Sequence, residues 1–284
     1  MKEYDITLPN GIKVRTIDEG KGPVLLLLHG NPDNADEWKP LINLLKNEFR
    51  CLAPDLPGYG RQGKTNPLPG NFDYSINAQI EFIDAFLSQL DIHERISLII
   101  HDIGGIMGIP WAAKHLDRLN AVIYTNTVAF PNFKWFDTAY RWGNDSPSGR
   151  KIAQFSMNAI GWFDGWIFKT IFSKQHPQLS SQRVDRFVLD FALNPIAKET
   201  TLCEFRQLVK PDFFNGFDLM LKSISESVAT LTIWGEDDPY VSNHFANELF
   251  ARKTLLLPNT GHWVPLVATD VMAREIRVLC KNKV

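Results

Sequence analysis

Five consecutive apolar residues, Val24–Leu28, restrict the fold of this chain more than any other feature. The run lies between Gly22-Pro23 and Gly30, which are residues that end regular structure. A strand that is apolar on both faces is typical of the interior of a parallel sheet covered by helices on each side. The segment Ser97–Ile100, with three apolar residues in succession, also predicts a buried strand. The chain is therefore predicted to be an α/β protein.

Strand and helix patterns alternate along the first half of the chain. Residues 6–8 and 13–18 alternate in polarity and are joined by Pro9-Asn10-Gly11, which predicts a hairpin. Beyond Val24–Leu28 we expect helices at 36–46, 74–90 and 104–115, strands at 51–53, 97–100 and 119–125, and a Pro/Gly loop at 54–63. This alternation favours a mostly parallel sheet with helices on both faces.

The alternation is interrupted between residues 130 and 222. This stretch has helical patterns, no convincing strand, and 18 of the 33 aromatic residues. Further on, strands are predicted at 230–234 and 254–257, with helices at 243–250 and 265–280. We therefore predict a core of residues 1–129 and 223–284 with a helical cap, 130–222, inserted after the sixth strand. The aromatic rings either form the core of the cap or line a cavity between cap and sheet.

Composition excludes several classes of protein. With 44% hydrophobic and 22% charged residues the chain is not of a disordered type, and a net charge of −2 gives no general attraction to nucleic acid or anionic membranes. No apolar run near the start approaches the roughly 20 residues of a membrane helix. Cys51, Cys203 and Cys280 lack the spacing of a disulfide framework or a metal site. We expect a cytoplasmic monomer or homodimer without metal or cofactor.

Two predicted strands end in loops with chemically useful residues. His29-Gly30-Asn31-Pro32 follows the first buried strand, and its glycine permits a sharp turn that directs the Asn31 backbone N–H into a site. An ordinary Gly-Pro turn is the alternative. In Ile100-His101-Asp102-Ile103-Gly104-Gly105, Asp102 stands at a strand-to-helix turn followed by two glycines. That is the pattern of a nucleophile elbow, although Asp102 as a simple helix cap remains open.

A third pair of loops lies in the last quarter of the chain. Thr232–Asp238 ends a predicted strand with acidic residues, and Asn259-Thr260-Gly261-His262-Trp263 follows the next strand. Asp102, Asp238 and His262 then appear in the order nucleophile, acid, histidine, with Asp237 a weaker alternative to Asp238. Of the other histidines, two are expected to be structural (His29, His101) and four to lie on the surface (His93, His115, His176, His244).

These motifs resemble the α/β-hydrolase family over essentially the whole chain. His29-Gly30-Asn31-Pro32 and His101-Asp102-Ile103-Gly104 are similar to its aspartate-nucleophile branch, the haloalkane dehalogenases and epoxide hydrolases. Residues 53–60 (APDLPGYG), Trp234-Gly235 before Asp238, and Gly261-His262 match as well. The resemblance implies that Asp102 forms an alkyl-enzyme ester with a small apolar substrate. His262, oriented by Asp238, then activates water, and the N–H groups of Asn31 and Ile103 form the oxyanion hole.

The leaving group stays open between halide and epoxide oxygen. Asn31 matches the halide-holding asparagine of dehalogenases, and Ile100 stands where epoxide hydrolases usually have glycine. Dehalogenases usually have tryptophan at the position of Ile103, so a cap tryptophan would have to replace it; the candidates are Trp135, Trp142, Trp162 and Trp166. Epoxide hydrolases usually use two cap tyrosines, for which this cap offers Tyr140 and His176. We expect a haloalkane dehalogenase-like enzyme, with an epoxide hydrolase or a non-catalytic small-ligand binder as alternatives.

Overall fold

A computed structural model describes residues 1–61 and 72–281 of the chain. Its sheet has eight strands in the order β1-β2-β4-β3-β5-β6-β7-β8. β1 pairs antiparallel with β2, and β2 with β4, whereas the pairs from β4 through β3 to β8 are all parallel. The strands are β1 Glu3–Thr7, β2 Lys13–Glu19, β3 Val24–Leu28, β4 Arg50–Pro54, β5 Ile96–Asp102, β6 Leu119–Thr127, β7 Ala229–Gly235 and β8 Lys253–Leu257.

The helices lie on both sides of this sheet, as the alternation predicts. In chain order they are α1 Lys39–Leu45, α2 Ile76–Gln89, α3 Gly104–Lys114, α4 Asp137–Trp142, α5 Pro147–Ala159, α6 Trp162–Gln175, α7 Ser181–Phe187, α8 Pro195–Leu208, α9 Phe217–Ser227, α10 Val264–Val267 and α11 Thr269–Lys281. The predicted loop 54–63 is described only up to residue 61; its last two positions lie outside the described residues. The α/β fold class is confirmed.

Three predicted helices differ in detail from the observed ones. The segment predicted at 36–46 starts as a 3-10 turn, Ala35–Trp38, and α1 begins only after it. The side chain of Asn34 accepts the N–H of Asp36 and thereby caps the 3-10 turn. The predicted helix 243–250 is a 3-10 helix. The predicted helix 265–280 is divided into α10 and α11. Periodicity alone does not distinguish these tighter turns from an α-helix.

Alternate residues of the central strands enter two separate cores. In β3, Leu25 and Leu27 pack with α1 and α11 on one face of the sheet, while Leu26 and Leu28 pack with α2 and α3 on the other. All four leucine side chains are fully buried. This two-sided burial explains why β3 has no polar residue.

Helices α4–α8, with a π-helical turn at Val188–Ala192, form the insertion between β6 and β7. Aromatic rings pack edge-on inside it, with the ring of Phe205 5.1 Å from Trp135 and 5.7 Å from Trp142. Helix α9 instead packs against α3 and β7. The predicted end of the cap at residue 222 therefore falls inside a helix that contacts the core. None of the helices in the described ranges is long and apolar enough to cross a bilayer.

The turn between β5 and α3 brings backbone segments unusually close together. Asp102 has a φ of +48°, in the left-handed region that non-glycine residues seldom adopt. A Cβ atom on Gly104 would lie 2.5 Å from the carbonyl oxygen of Leu28 in β3. The hydroxyl of Thr127, at the end of β6, donates a hydrogen bond of 2.6 Å to the Asp102 carbonyl. Neighbouring strands thus fix the conformation of this turn.

We expect Gly104→Ala to destabilise the protein by about 1–3 kcal/mol, the usual cost of inserting a methyl group into packed structure. The added carbon would meet backbone atoms of β3, which have little freedom to move. Urea unfolding would measure the change. Lys114→Ala at the exposed end of the same helix is the control and should change the free energy of unfolding little. Equal stability of Gly104→Ala and wild type would contradict the close approach.

Candidate active site

The carboxylate of Asp102 meets His262 at the carboxyl ends of the parallel strands. Its Oδ2 lies 3.6 Å from Nε2 of His262, and its Oδ1 accepts a 2.8 Å hydrogen bond from the backbone N–H of Asn31. On the other side of the imidazole, Nδ1 lies 2.8 Å from Oδ2 of Asp238. The structure therefore brings the predicted Asp102, His262 and Asp238 into one connected row.

Asp238 is fixed by three further donors. Asn126 Nδ2 donates to its Oδ2 at 2.7 Å, and the N–H groups of Tyr240 and Val241 donate to its Oδ1. Burial alone would raise the pKa of Asp238, but His262 and these donors hold that pKa below its usual value. The carboxylate therefore stays ionised beside the imidazole. Asp237, the weaker sequence candidate, is exposed.

The predicted oxyanion residues flank the Asp102 carboxylate. The Asn31 N–H already contacts it, and Ile103 directly precedes the first residue of α3, where backbone N–H groups have no acceptor within the helix. The side chain of Ile103 is buried and apolar. This end of α3 combines two useful properties, a favourable dipole for an anion and free backbone donors.

A buried ion pair connects the loops on either side of the site. Nδ1 of His101 lies 2.6 Å from Oε1 of Glu37, and both side chains are fully buried. Glu37 also accepts the N–H of Gly30, while His101 Nε2 donates to the carbonyl of His262. Burial lowers the pKa of His101, but the charge of Glu37 outweighs it and raises that pKa to about 9. His29, by contrast, is neutral: burial lowers its pKa to about 4.

A polar network extends from Asn31 into helix α8. Asn31 Nδ2 donates to the hydroxyls of Tyr59 at 2.9 Å and Thr201 at 3.1 Å. The Tyr59 hydroxyl in turn donates to the carboxyl of Glu204. Sequence reasoning missed these partners. Tyr59 lies in the motif at 53–60, which was a usable signal, but nothing in the sequence distinguishes Glu204 or Thr201 from other residues of a helix surface.

Within residues 1–61 and 72–281, no hydrogen bond joins a predicted cap tryptophan to Asp102. The indole N–H of Trp135 donates to the carbonyl of Leu208 at 3.0 Å, and that of Trp142 donates to Ser156 at 3.1 Å. The remaining aromatic candidates lie on the cap surface, with exposed fractions of 46% for Trp162, 62% for Trp166 and 45% for Tyr140. Their contribution to a leaving-group site stays an unsupported prediction, because helix spacing could not show which face of the cap is covered.

His176 is buried, so its prediction as a surface residue is wrong. Its ring packs against Phe172 and Trp263, and its Nε2 lies 2.8 Å from the hydroxyl of Tyr240. The Tyr240 ring is edge-on to His262 at 5.2 Å. Burial lowers the pKa of His176 to about 3, which makes it a neutral side chain near the site. Tyr240, two residues after Asp238, also escaped the sequence analysis.

Within residues 1–61 and 72–281 no group of three His, Cys, Asp or Glu side chains is arranged to hold a metal ion. The carboxylates and imidazole of the candidate site are also bonded to one another or to N–H groups, and do not converge on a position for a metal ion. This arrangement of Asp102, His262 and Asp238 is suited to nucleophile, base and orienting acid.

We expect Glu37→Gln to lower the free energy of unfolding at pH 6 by about 3–5 kcal/mol, since it leaves a buried charge unpaired. The folded pKa of His101 lies above its ordinary value of 6.5. The pair therefore stabilises fully below about pH 6.5, and its contribution is lost as the pH rises through about 9. Urea unfolding at pH 6 and pH 9.5 should show a smaller difference at the higher pH.

The control for this experiment is Asp91→Asn, which removes the exposed pair between Asp91 and His93. Its two side chains are 93% and 75% exposed, so the free energy of unfolding should change by less than about 1 kcal/mol. A similar effect of both substitutions would contradict the role of the buried pair.

Comparison with known proteins assigns this chain to a family. The pattern of the alpha/beta hydrolase fold family matches residues 23–269. The chain is 36% identical over 126 residues to a cis-3-alkyl-4-alkyloxetan-2-one decarboxylase of Xanthomonas campestris, covering 43% of this chain and 42% of that protein. It is 32% identical over 127 residues to a haloalkane dehalogenase of Agrobacterium fabrum, covering 45% and 40%. The matches thus span about two fifths of these relatives.

Solved structures share the fold over nearly the whole chain. An epoxide hydrolase from Vigna radiata superimposes with a TM-score of 0.73 at 18% identity, covering 99% of this chain and 98% of that one. An esterase from Thermogutta terrifontis gives a TM-score of 0.72 at 20% identity, covering 99% of each chain. With the family pattern extending from residue 23 to residue 269, this chain belongs to the alpha/beta hydrolase fold family.

Proposed function

We propose that the chain is a hydrolase that acts through a covalent ester on Asp102. The observation that carries this proposal is the row Asp102–His262–Asp238, with atom separations of 3.6 and 2.8 Å. A carboxylate at an elbow needs no base to become a nucleophile. The imidazole is then available for a second step, in which it activates water. Haloalkane dehalogenases among the relatives, and epoxide hydrolases among the structural neighbours, are in keeping with this function.

In the first step, an Asp102 carboxylate oxygen attacks a saturated carbon of the substrate. A C–O ester bond forms as the bond to the leaving group breaks, and the electron pair departs with the leaving group. The enclosed position favours small apolar substrates, because Ile103 lies directly beside the nucleophile and is buried.

In the second step, His262 takes a proton from water, and the oxygen of that water attacks the carboxyl carbon of Asp102. The N–H groups of Asn31 and Ile103 stabilise the oxyanion of the tetrahedral intermediate. Asp238 stabilises the imidazolium that forms. Collapse of the intermediate breaks the ester and releases the alcohol with the proton from His262. The Asp102 carboxyl group then loses the second hydrogen of the water to solvent as a proton and becomes a carboxylate again.

The surroundings of Asn31 support an oxygen leaving group better than a halide. Both amide hydrogens of Asn31 are engaged by Tyr59 and Thr201, and Ile103 has no side-chain N–H to offer a halide. The groups around the Asn31 amide are instead the hydroxyls of Tyr59 and Thr201 and the carboxyl group of Glu204. A strained ring C–O bond suits this setting, and two relatives are named for an oxetan-2-one, which contains one. The leading substrate class is therefore a strained cyclic ether or ester.

A haloalkane is the second candidate. It was favoured by the sequence, and the dehalogenase relatives support it. If a halide leaves, the Asn31 amide must exchange one of its two hydroxyl partners for that ion. This candidate keeps the same two covalent steps and differs only in the group that departs.

Replacing His262 with Gln should trap the ester, since the base for the second step is lost. After incubation with styrene oxide, the mass of the intact protein should increase by one substrate, located on the peptide containing Asp102. The Asp102→Asn/His262→Gln double variant is the matched control and should gain no mass. Absence of any adduct with epoxides, lactones and haloalkanes would contradict the proposal and leave a non-catalytic ligand-binding protein.

The wild-type protein should hydrolyse styrene oxide at least about 10-fold faster than 1,2-dibromoethane, which corresponds to about 1.4 kcal/mol in the barrier. Diol formation and acid release in a pH-indicator assay measure the two reactions. Faster release of acid from the dibromide would make the haloalkane the better assignment.

A further inference from the structure

One ionisable group beside the site has no role in the two steps above. Glu204 lies on α8, is half-buried, and accepts the hydroxyl hydrogen of Tyr59 on Oε2. In the part of the chain that the structure describes, its Oε1 forms no hydrogen bond with another group. The hydrogen bond from Tyr59 therefore fixes the position of the carboxyl group through Oε2, and Oε1 is available to exchange a proton with a substrate.

Contacts connect Glu204 to the nucleophile through two residues. Asp102 Oδ1 accepts the Asn31 N–H at 2.8 Å, and the Asn31 amide donates to Tyr59 at 2.9 Å. Tyr59 then donates to Glu204. Thr201, one turn earlier on α8, joins the same network at 3.1 Å from both Asn31 and Tyr59. This network thus begins at Oδ1 of Asp102, whereas His262 lies nearest to Oδ2.

The protonation state of Glu204 fits a donor. Burial raises its pKa to about 8, the hydrogen bond from Tyr59 opposes this, and the negative charge of Asp102 adds to the rise. At neutral pH most molecules therefore carry a proton on this carboxyl group. A general acid is most effective when its pKa lies near the working pH.

We propose that Glu204 is the acid that protonates the oxygen leaving an epoxide when Asp102 opens the ring. This inference rests on the proposed function. Asp102 forms its bond to one ring carbon, the C–O bond of that carbon breaks, and the ring oxygen takes the proton of the Glu204 carboxyl group. Glu204 becomes a carboxylate and regains a proton from solvent before the next turnover.

The inference specifies the substrate class within the proposed function. An alkoxide leaves poorly unless a proton is delivered to it, whereas a halide leaves as a stable anion and needs only hydrogen bonds. The hydroxyl of Tyr240, which lies beside His262, is less suited to the task. Burial raises the pKa of Tyr240 far above its ordinary value, and its hydroxyl is already bonded to His176 and Gln175.

The experiment measures the rate at which styrene oxide alkylates Asp102 in the His262→Gln variant, where only the first step occurs. Adding Glu204→Gln should slow alkylation by about 100-fold or more, because glutamine can donate a hydrogen bond but cannot transfer a proton. The matched control is Glu199→Gln on the same helix, at a side chain that is 38% exposed and paired with Arg206. It should leave the rate unchanged.

The pH profile separates proton transfer from a merely structural role. Alkylation in His262→Gln should fall as the pH rises through about 8, and this limb should be absent after Glu204→Gln. Among the residues that the structure describes, the titratable groups that interact with Glu204 include Asp102, Tyr59, Tyr74 and Cys203. Burial raises the pKa values of Tyr59, Tyr74 and Cys203 above their ordinary values of 9 or 10. Tyr59→Phe should move the limb to higher pH, since the Tyr59 hydrogen bond lowers the pKa of Glu204.

The outcomes distinguish this inference from the proposed function. No adduct in His262→Gln with any substrate overturns both. Rapid alkylation that Glu204→Gln does not slow overturns the inference alone. If Glu204→Gln fails to fold, two measurements still test the inference: the fall in the alkylation rate of His262→Gln near pH 8, and the shift of this fall to higher pH when Tyr59→Phe is added. An alkylation rate that does not change with pH in this range overturns the inference.

Discussion

The left-handed turn at Asp102 is the constraint on which the rest of the site depends. A non-glycine residue in that region costs on the order of 1–3 kcal/mol and persists only where its surroundings fix it. Here Gly104 lets α3 approach β3, and Thr127 from β6 bonds to the Asp102 carbonyl. The turn directs the carboxylate away from the strands and toward His262. A residue that continued the extended strand would instead direct its side chain to one face of the sheet.

The loops that surround the turn are joined by the buried pair of Glu37 and His101. One end of the pair bonds to Gly30, which precedes the proposed oxyanion residue Asn31, and the other bonds to the backbone of His262. Loops from opposite ends of the chain therefore keep a fixed separation. A pair of this kind contributes more through geometry than through net stability, because the desolvation of two buried charges offsets much of their attraction.

The row from Asp102 to His262 and the network from Asn31 to Glu204 meet different oxygens of the Asp102 carboxylate. The first contains His262, the proposed base of the ester-hydrolysis step. The second contains Glu204, the proposed acid of ring opening. One arises from the core of the fold and the other reaches it from helix α8 of the insertion. In the proposed mechanism the core supplies the ester chemistry and the insertion supplies the acid for the leaving group.

The sequence by itself determined the sheet, the order of its elements and the three residues of the row, because buried strands, glycine turns and loop ends leave local patterns. Only the tertiary structure decided what stands around the nucleophile. Asn126, Tyr59 and Glu204 reach the site from elements distant in the chain, and their side chains acquire a role only through contacts across those elements. The exposure of Trp166 and the burial of His176 were equally beyond reach, since the cap helices contain apolar residues on more than one face and periodicity does not say which face is covered.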